Sequence, residues 1–193
     1  MPRTAKHLWP EIASFLNLAK AFQKVRAGKR FDNDTMLFYS ALEENLFALE
    51  DALVKKTWKP KPFREFYITV PKPRKIQAPD FGDRVIHQAV MFHAGPPMLR
   101  RFITDSFASI EGRGTHAASR RFRQFMRSAS SKFEHPYIIK ADIKSYFASI
   151  PHDALLYRLE RIFADKDLLW FFNTLVRESG YHERGLPIGA LTS

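Results

Sequence analysis

Apolar residues recur at helical spacing in two stretches near the start of the chain. Ile12, Phe15, Leu16, Ala19 and Phe22 make one stripe, and Phe38, Leu42, Leu46, Leu49 and Leu53 make another. Asn33 or Asp34 is placed to cap the second helix. The two stripes predict a helical hairpin that buries its apolar faces. Beyond it the period changes. Phe66, Ile68 and Val70 alternate as in a strand, Pro71-Lys72-Pro73-Arg74-Lys75 reads as a turn, and Ile76 and Ala78 start a returning strand. Helical spacing resumes from Asp80 to Ala94, with Val85, Ile86, Ala89 and Val90 inward, and again from Thr115 to about Ala129. Tyr137, Ile138, Ile139 and Ala141 lie in a short, largely apolar run, the pattern of a central strand covered on both faces. Pro151 suits the first turn of a helix carrying Leu155, Leu159 and Ile162, and Leu168 to Val176 predicts one more.

Composition narrows the class. With 193 residues, 45% of them hydrophobic and 18 of them Phe, the chain can bury a real core. No apolar run approaches the roughly 18 residues of a membrane span, and the start of the chain shows no apolar signal core. The absence of cysteine excludes disulfides and thiolate metal sites and makes a cytoplasmic setting the default. Charge changes the picture more. The 31 Lys and Arg residues against 20 Asp and Glu leave a net charge of +11, which favours a polyanionic partner. Between Gly112 and Phe133 lie Arg113, Arg120, Arg121, Arg123, Arg127 and Lys132 without an acid. A second cluster, Lys55, Lys56, Lys59, Lys61 and Arg64, is interleaved with Trp58 and Phe63. Phosphates reward clustered cations through counterion release, and aromatic rings offer faces for bases.

The order of several short blocks identifies a family. Tyr67 to Ile76 together with Asp83-Arg84-Val85-Ile86-His87-Gln88-Ala89 resembles the fingers of bacterial reverse transcriptases, and Ser106-Phe107-Ala108 with Gly112-Arg113-Gly114-Thr115-His116-Ala117 resembles the block that follows. Ala141-Asp142-Ile143-Lys144-Ser145-Tyr146-Phe147 is similar to the first palm motif, and Gly185-Leu186-Pro187-Ile188-Gly189-Ala190-Leu191-Thr192-Ser193 to the block after it. The matches run from about Phe63 to Ser193. Having Ile188 before Gly189, the last block is most similar to reverse transcriptases of diversity-generating retroelements, a spelling that defence-linked relatives share. The resemblance implies an α+β right-hand polymerase fold: a helical leader at 1–60, fingers at 61–135 and a partial palm at 136–193. It implies a bacterial or phage-encoded protein working in the cytoplasm on an RNA template and a DNA or RNA primer, with deoxynucleoside triphosphates, Mg²⁺ and a small basic accessory protein as partners.

The same resemblance assigns roles. In the family, two Mg²⁺ ions stabilise the attacking and leaving oxygens of an in-line displacement, and hard carboxylate oxygens hold them. Asp142 occupies the carboxylate position, and the backbone carbonyl of Ile143 the contact beside it. Phe147 stands where the family sets a ring against the ribose 2′-hydroxyl, the atom that tells RNA from DNA; core packing explains a Phe there equally well. Lys72 and Arg74 lie in the turn that folds over the triphosphate, where a point charge and a planar fork suit the leaving pyrophosphate, with Lys75 able to replace either. Arg113, Arg120, Arg121 and Arg123 are the candidates for phosphate contact, and Gly189 lets backbone approach the strand or is an ordinary turn glycine. Asp83-Arg84 matches a family dipeptide, which an internal ion pair explains as well. His87, His116 and His152 have no zinc spacing.

One family motif is missing. The aromatic-x-Asp-Asp hairpin that supplies the remaining metal carboxylates occurs nowhere in these residues, and neither does a thumb. Asp142 by itself cannot hold two metals, so this chain is expected not to polymerise DNA. The sequence therefore predicts a fragment of a reverse transcriptase, with a non-catalytic basic module that binds RNA or DNA as the alternative.

Overall fold

The computed structural model describes residues 4–71, 73–178 and 183–192. In chain order the elements are α1 (Trp9–Ile12), α2 (Phe15–Val25), α3 (Asn33–Ser40), α4 (Leu42–Val54), β1 (Arg64–Ile68), β2 (Arg74–Ala78), α5 (Phe81–Leu99), α6 (Thr115–Ser130), α7 (Tyr146–Ser149), α8 (His152–Glu160) and α9 (Lys166–Arg177). Helices dominate, and among the described residues the sheet is the antiparallel pair β1–β2. The fold class is thus mixed, helical with a small sheet. The chain divides into two compact units, one built up to Pro97 and again from Ser145, the other from Met98 to Lys144.

The first unit holds the core. The predicted first helix is interrupted at Ala13 and Ser14, because the Ser14 side chain accepts a hydrogen bond from Asn17 N and starts α2 afresh. Asn17, buried, donates from its amide to the carbonyls of Ile12 and Ala89 and so ties α1 and α5 to α2. The second predicted helix divides at Ala41, whose backbone leaves the helical region. Asn33 and Asp34 do not cap it: Asp32 is the N-cap residue, and the Asp34 carboxylate is taken by Arg64 and Arg84. Phe22 stacks on Phe38 and meets Phe81, bringing α2, α3 and α5 together. Val85, Ile86, Ala89 and Val90 are buried, as their helical spacing predicts. Trp9 and Trp58 both pack on Phe171 of α9. Asp165 caps α9 by accepting from Asp167 N and Leu168 N, and also accepts from Leu8 N and Trp9 N. Burial raises its pKa, but those four backbone donors outweigh it and hold the carboxyl below its ordinary value.

The hairpin register pairs Arg64 with Ala78, Phe66 with Ile76 and Ile68 with Arg74. Its base is anchored by Asp83, which accepts from Trp58 Nε1 at 3.0 Å and from Lys61 N at 2.8 Å. Arg84 pairs with Asp34 and lies over the Phe81 ring, so Asp83 and Arg84 hold structure together without pairing to each other.

The second unit departs from expectation at one place. Residues 137–141 form no strand, and Tyr137 and Ile139 are 93% and 91% exposed. A strand buried on both faces needs ladder partners for its N–H and C=O groups, and among the described residues β1 and β2 pair only with each other within the sheet. Helix α6 forms over the predicted span, yet none of its side chains is buried.

Candidate nucleic-acid interface

The cations the sequence clusters differ sharply in their partners. In the first unit the second cluster is neutralised throughout. Lys55 pairs with Asp51, Lys56 with Asp167, Lys59 with Glu178, Lys61 with Asp80 and Arg64 with Asp34. Trp58 between them is buried against Phe171 rather than open for stacking. Its reading as a phosphate-and-base surface is therefore corrected: these residues join the segment before the hairpin to its neighbours. Exposed ion pairs of this kind contribute little stability, but their cations are already matched.

In the second unit the arginines separate into two groups. Arg121 donates to Asp105 at 2.7 Å and lies 4.4 Å from the centroid of the Phe125 ring. Donating to the Asp105 carboxylate raises its pKa further. Arg113 donates to the Thr104 carbonyl at 3.2 Å. The side chains of Arg120 and Arg123, by contrast, have no hydrogen-bond or ion-pair partner among the described residues, and neither has that of Arg127. Spacings of three and four put Arg120, Arg123 and Arg127 on one face of α6, with Phe122, Met126 and Ala129 on another. Arg127, which the sequence places in the basic cluster but not among the phosphate-contact candidates, belongs to this stripe. Its helical spacing from Arg123 is the signal that finds it.

Asp142 and Ile143 lie in the same unit, exposed and outside regular structure, and Asp142 has no hydrogen-bonding or ionic partner among the described residues. Among those residues no group of three or more His, Cys, Asp or Glu side chains is close enough to hold a metal ion. One carboxylate is too few donors for a two-magnesium centre. The described residues bring together no donor set for one.

Elsewhere the first unit draws separate blocks together. The Phe147 carbonyl accepts from Leu186 N at 2.9 Å, and the Ile150 carbonyl accepts from Gly185 N at 2.9 Å. His152, fully buried, reaches the Gly185 carbonyl with Nε2 at 2.8 Å, so its Nε2 carries the proton. Two residues on from Leu186, the Ile188 carbonyl accepts from Gln77 N at 2.8 Å and covers the outer edge of β2. Residues 186–188 thereby link Phe147 to the hairpin. Arg74 sits at the turn end of that hairpin, opposite Ile68, exposed and with no side-chain partner among the described residues, whereas Lys75 is held by Glu65. Lys72 lies outside the described residues. The Phe147 ring is half-buried and meets Tyr146 edge-on.

Gly189 has a structural reason to be glycine. Its φ is +124°, and a Cβ would stand 2.9 Å from Ile76 Cγ2 and 3.2 Å from the Gln77 carbonyl oxygen. Gly189→Ala is expected to favour detachment of residues 186–189 from β2 by about 1–3 kcal/mol. Faster amide exchange at Gln77, with exchange in the middle of α5 unchanged, checks this; unchanged Gln77 protection would refute it.

No family model matches the chain. It is similar to Protein YkfC of Escherichia coli (strain K12), with 28% identity over 143 residues, which is 72% of this chain. That stretch is 37% of the relative, so the chain spans well under half of its length.

Proposed function

We propose that this chain carries the fingers and the opening palm segments of an RNA-directed DNA polymerase of the bacterial reverse-transcriptase type, and that on its own it binds template–primer without extending it. The observation that carries this reading is the convergence of three separate blocks. The β1–β2 hairpin, the backbone at Phe147 and the segment around Gly189 are joined by the hydrogen bonds Leu186 N to Phe147 O and Gln77 N to Ile188 O. A right-hand polymerase of the diversity-generating type would use Arg74 on the triphosphate and Phe147 beneath the sugar. Its Mg²⁺ would need carboxylates beyond Asp142, so this chain's own chemistry stops at binding. The setting implied is the cytoplasm of a bacterium or the product of a phage, and no helix among the described residues is long and apolar enough to cross a membrane.

The second reading, a non-catalytic module binding RNA or DNA, is favoured by one specific observation: the side chains of Arg120, Arg123 and Arg127, like that of Asp142, have no partner among the described residues. A single assay separates the two. The 193-residue chain is titrated with an RNA template bearing a DNA primer and with each strand alone, and extension is followed with deoxynucleotides and Mg²⁺. Preference for the template–primer without extension, unchanged in Asp142→Ala, is the expected result. Equal affinity for all three nucleic acids favours the module. Extension that disappears in Asp142→Ala would overturn the claim that binding is all this chain supplies.

A further inference from the structure

Outside α6, the residues best suited to hold an anion lie in the leader. Between Glu11 and Asp32 the chain carries Lys20, Lys24, Arg26, Lys29 and Arg30 and no acid. The helices α2 and α3 enclose a cleft of about 350 Å³ lined by Phe22, Arg26, Arg30, Thr35 and Tyr39 among others, none of them acidic. That volume falls in the range of small-ligand pockets, about 300–1,000 Å³. Phe22 and Tyr39 lie parallel, 2° apart in plane with centroids 6.1 Å apart, and the Arg26 guanidinium sits 5.3 Å from the Tyr39 centroid. This contact holds the Tyr39 ring in place while 57% of the residue remains exposed. Neither Arg26 nor Arg30 has a carboxylate partner among the described residues, and the buried Thr35 hydroxyl in the wall has no hydrogen-bond partner there.

A planar ring that stays more than half exposed, two guanidinium groups and a lining without acid match a ligand that is itself planar and anionic. We propose that this cleft is a second nucleotide-binding site, which takes a base against Tyr39 and its phosphate beside Arg26 and Arg30. An acidic peptide would satisfy the arginines but offers the tyrosine nothing planar. The ligand is either a free nucleotide or one residue of a single strand, because both present the same base and phosphate. The proposal does not rest on the arginine stripe of α6.

The probes are an end-labelled single-stranded hexauridylate and free uridine monophosphate. They are titrated into the full chain carrying Arg120→Gln, Arg123→Gln and Arg127→Gln, so that α6 no longer contributes. In that background Tyr39→Ala is expected to weaken hexauridylate binding roughly tenfold, the loss of one base–aromatic stack. Arg30→Gln, at an exposed position that cannot unfold the chain, is expected to lower the salt slope by about 0.7, the effect of one single-strand phosphate contact. Tyr39→Phe should bind as the parent does, which separates lost stacking from lost folding. Dependence on Tyr39 and Arg30 with uridine monophosphate as well assigns the site to free nucleotides; dependence with hexauridylate alone assigns it to a strand. Binding of both probes that is indifferent to Tyr39→Ala and Arg30→Gln, or no binding of either, overturns the proposal. A triple arginine variant that binds strands like the unmodified chain would instead refute the role of α6.

Discussion

Acidifying the protein from pH 6.5 to pH 4 is expected to remove about 3 kcal/mol of folding stability through one residue, His87. This histidine lies on α5, 1% exposed, with the Trp58 ring edge-on 6.4 Å away. Neither of its ring nitrogens has a hydrogen-bond partner among the described residues. Burial penalises the imidazolium and pushes its pKa from 6.5 down to about 4. The folded chain therefore binds fewer protons than the unfolded chain between those values. Stability is complete above pH 6.5, falls as pH drops through the window, and levels off below about 4. Asp83, one turn earlier on the same helix, acts in the opposite sense: burial raises its pKa, so protonation favours the folded state. Asp165, with its pKa lowered, contributes stability that is lost only below the ordinary carboxylate value, outside most of this window. His87→Leu isolates the histidine. It deletes two buried unpaired polar atoms, so it should be at least as stable as the parent near neutral pH. The difference between the two denaturation profiles should grow by about 3 kcal/mol toward acid. Parallel profiles would show that His87 does not govern the acid limb.

Local periodicity carried most of the helical architecture into view. Val85, Ile86, Ala89 and Val90 are buried where their spacing puts them, and a hairpin forms where the alternation predicts it, although Arg74 and Lys75, read as turn, belong to β2 and Val70, read as strand, lies beyond β1. Two kinds of feature were not legible. Breaks at Ser14 and Ala41 depend on a capping hydroxyl and a single non-helical backbone, which an apolar stripe running through them does not register. The run Tyr137 to Ala141 has strand composition, but a strand is defined by its neighbours, and a one-dimensional pattern cannot say whether they are there.

The site was legible in the same uneven way. Arginine spacing on α6 can be read from sequence, whereas pairing cannot: Arg121 and its neighbour Arg120 look alike until Asp105, sixteen residues earlier, is seen to hold one of them. Lys56 and Lys59 are matched by Asp167 and Glu178, more than a hundred positions away in the chain. Gly189 reads as one more turn glycine until its close approach to Ile76 is known. Asp142 stands out only through the resemblance of its segment to a palm motif, since no side-chain partner among the described residues distinguishes it.

This distinction between matched and unmatched cations yields the second large effect. Replacing Arg120, Arg123 and Arg127 together by Gln is expected to weaken binding of an RNA–DNA template–primer on the order of a hundredfold at physiological salt. Each lost duplex phosphate contact removes about 0.9 from the slope of log affinity against log salt, which near 0.15 M is worth roughly fivefold. Three contacts multiply to the figure given, and the slope should flatten by about 2.7. The decisive comparison is Lys55→Gln, Lys56→Gln and Lys59→Gln in one chain. It removes the same net charge from a surface where Asp51, Asp167 and Glu178 already neutralise the lysines. If overall charge attracts the nucleic acid, the two variants lose affinity equally. If the α6 face touches phosphates, the lysine variant keeps the parental slope and the arginine variant does not. Anisotropy titrations over a salt series read both quantities, and equal slopes in the two variants would refute the assignment of α6 as the contact face.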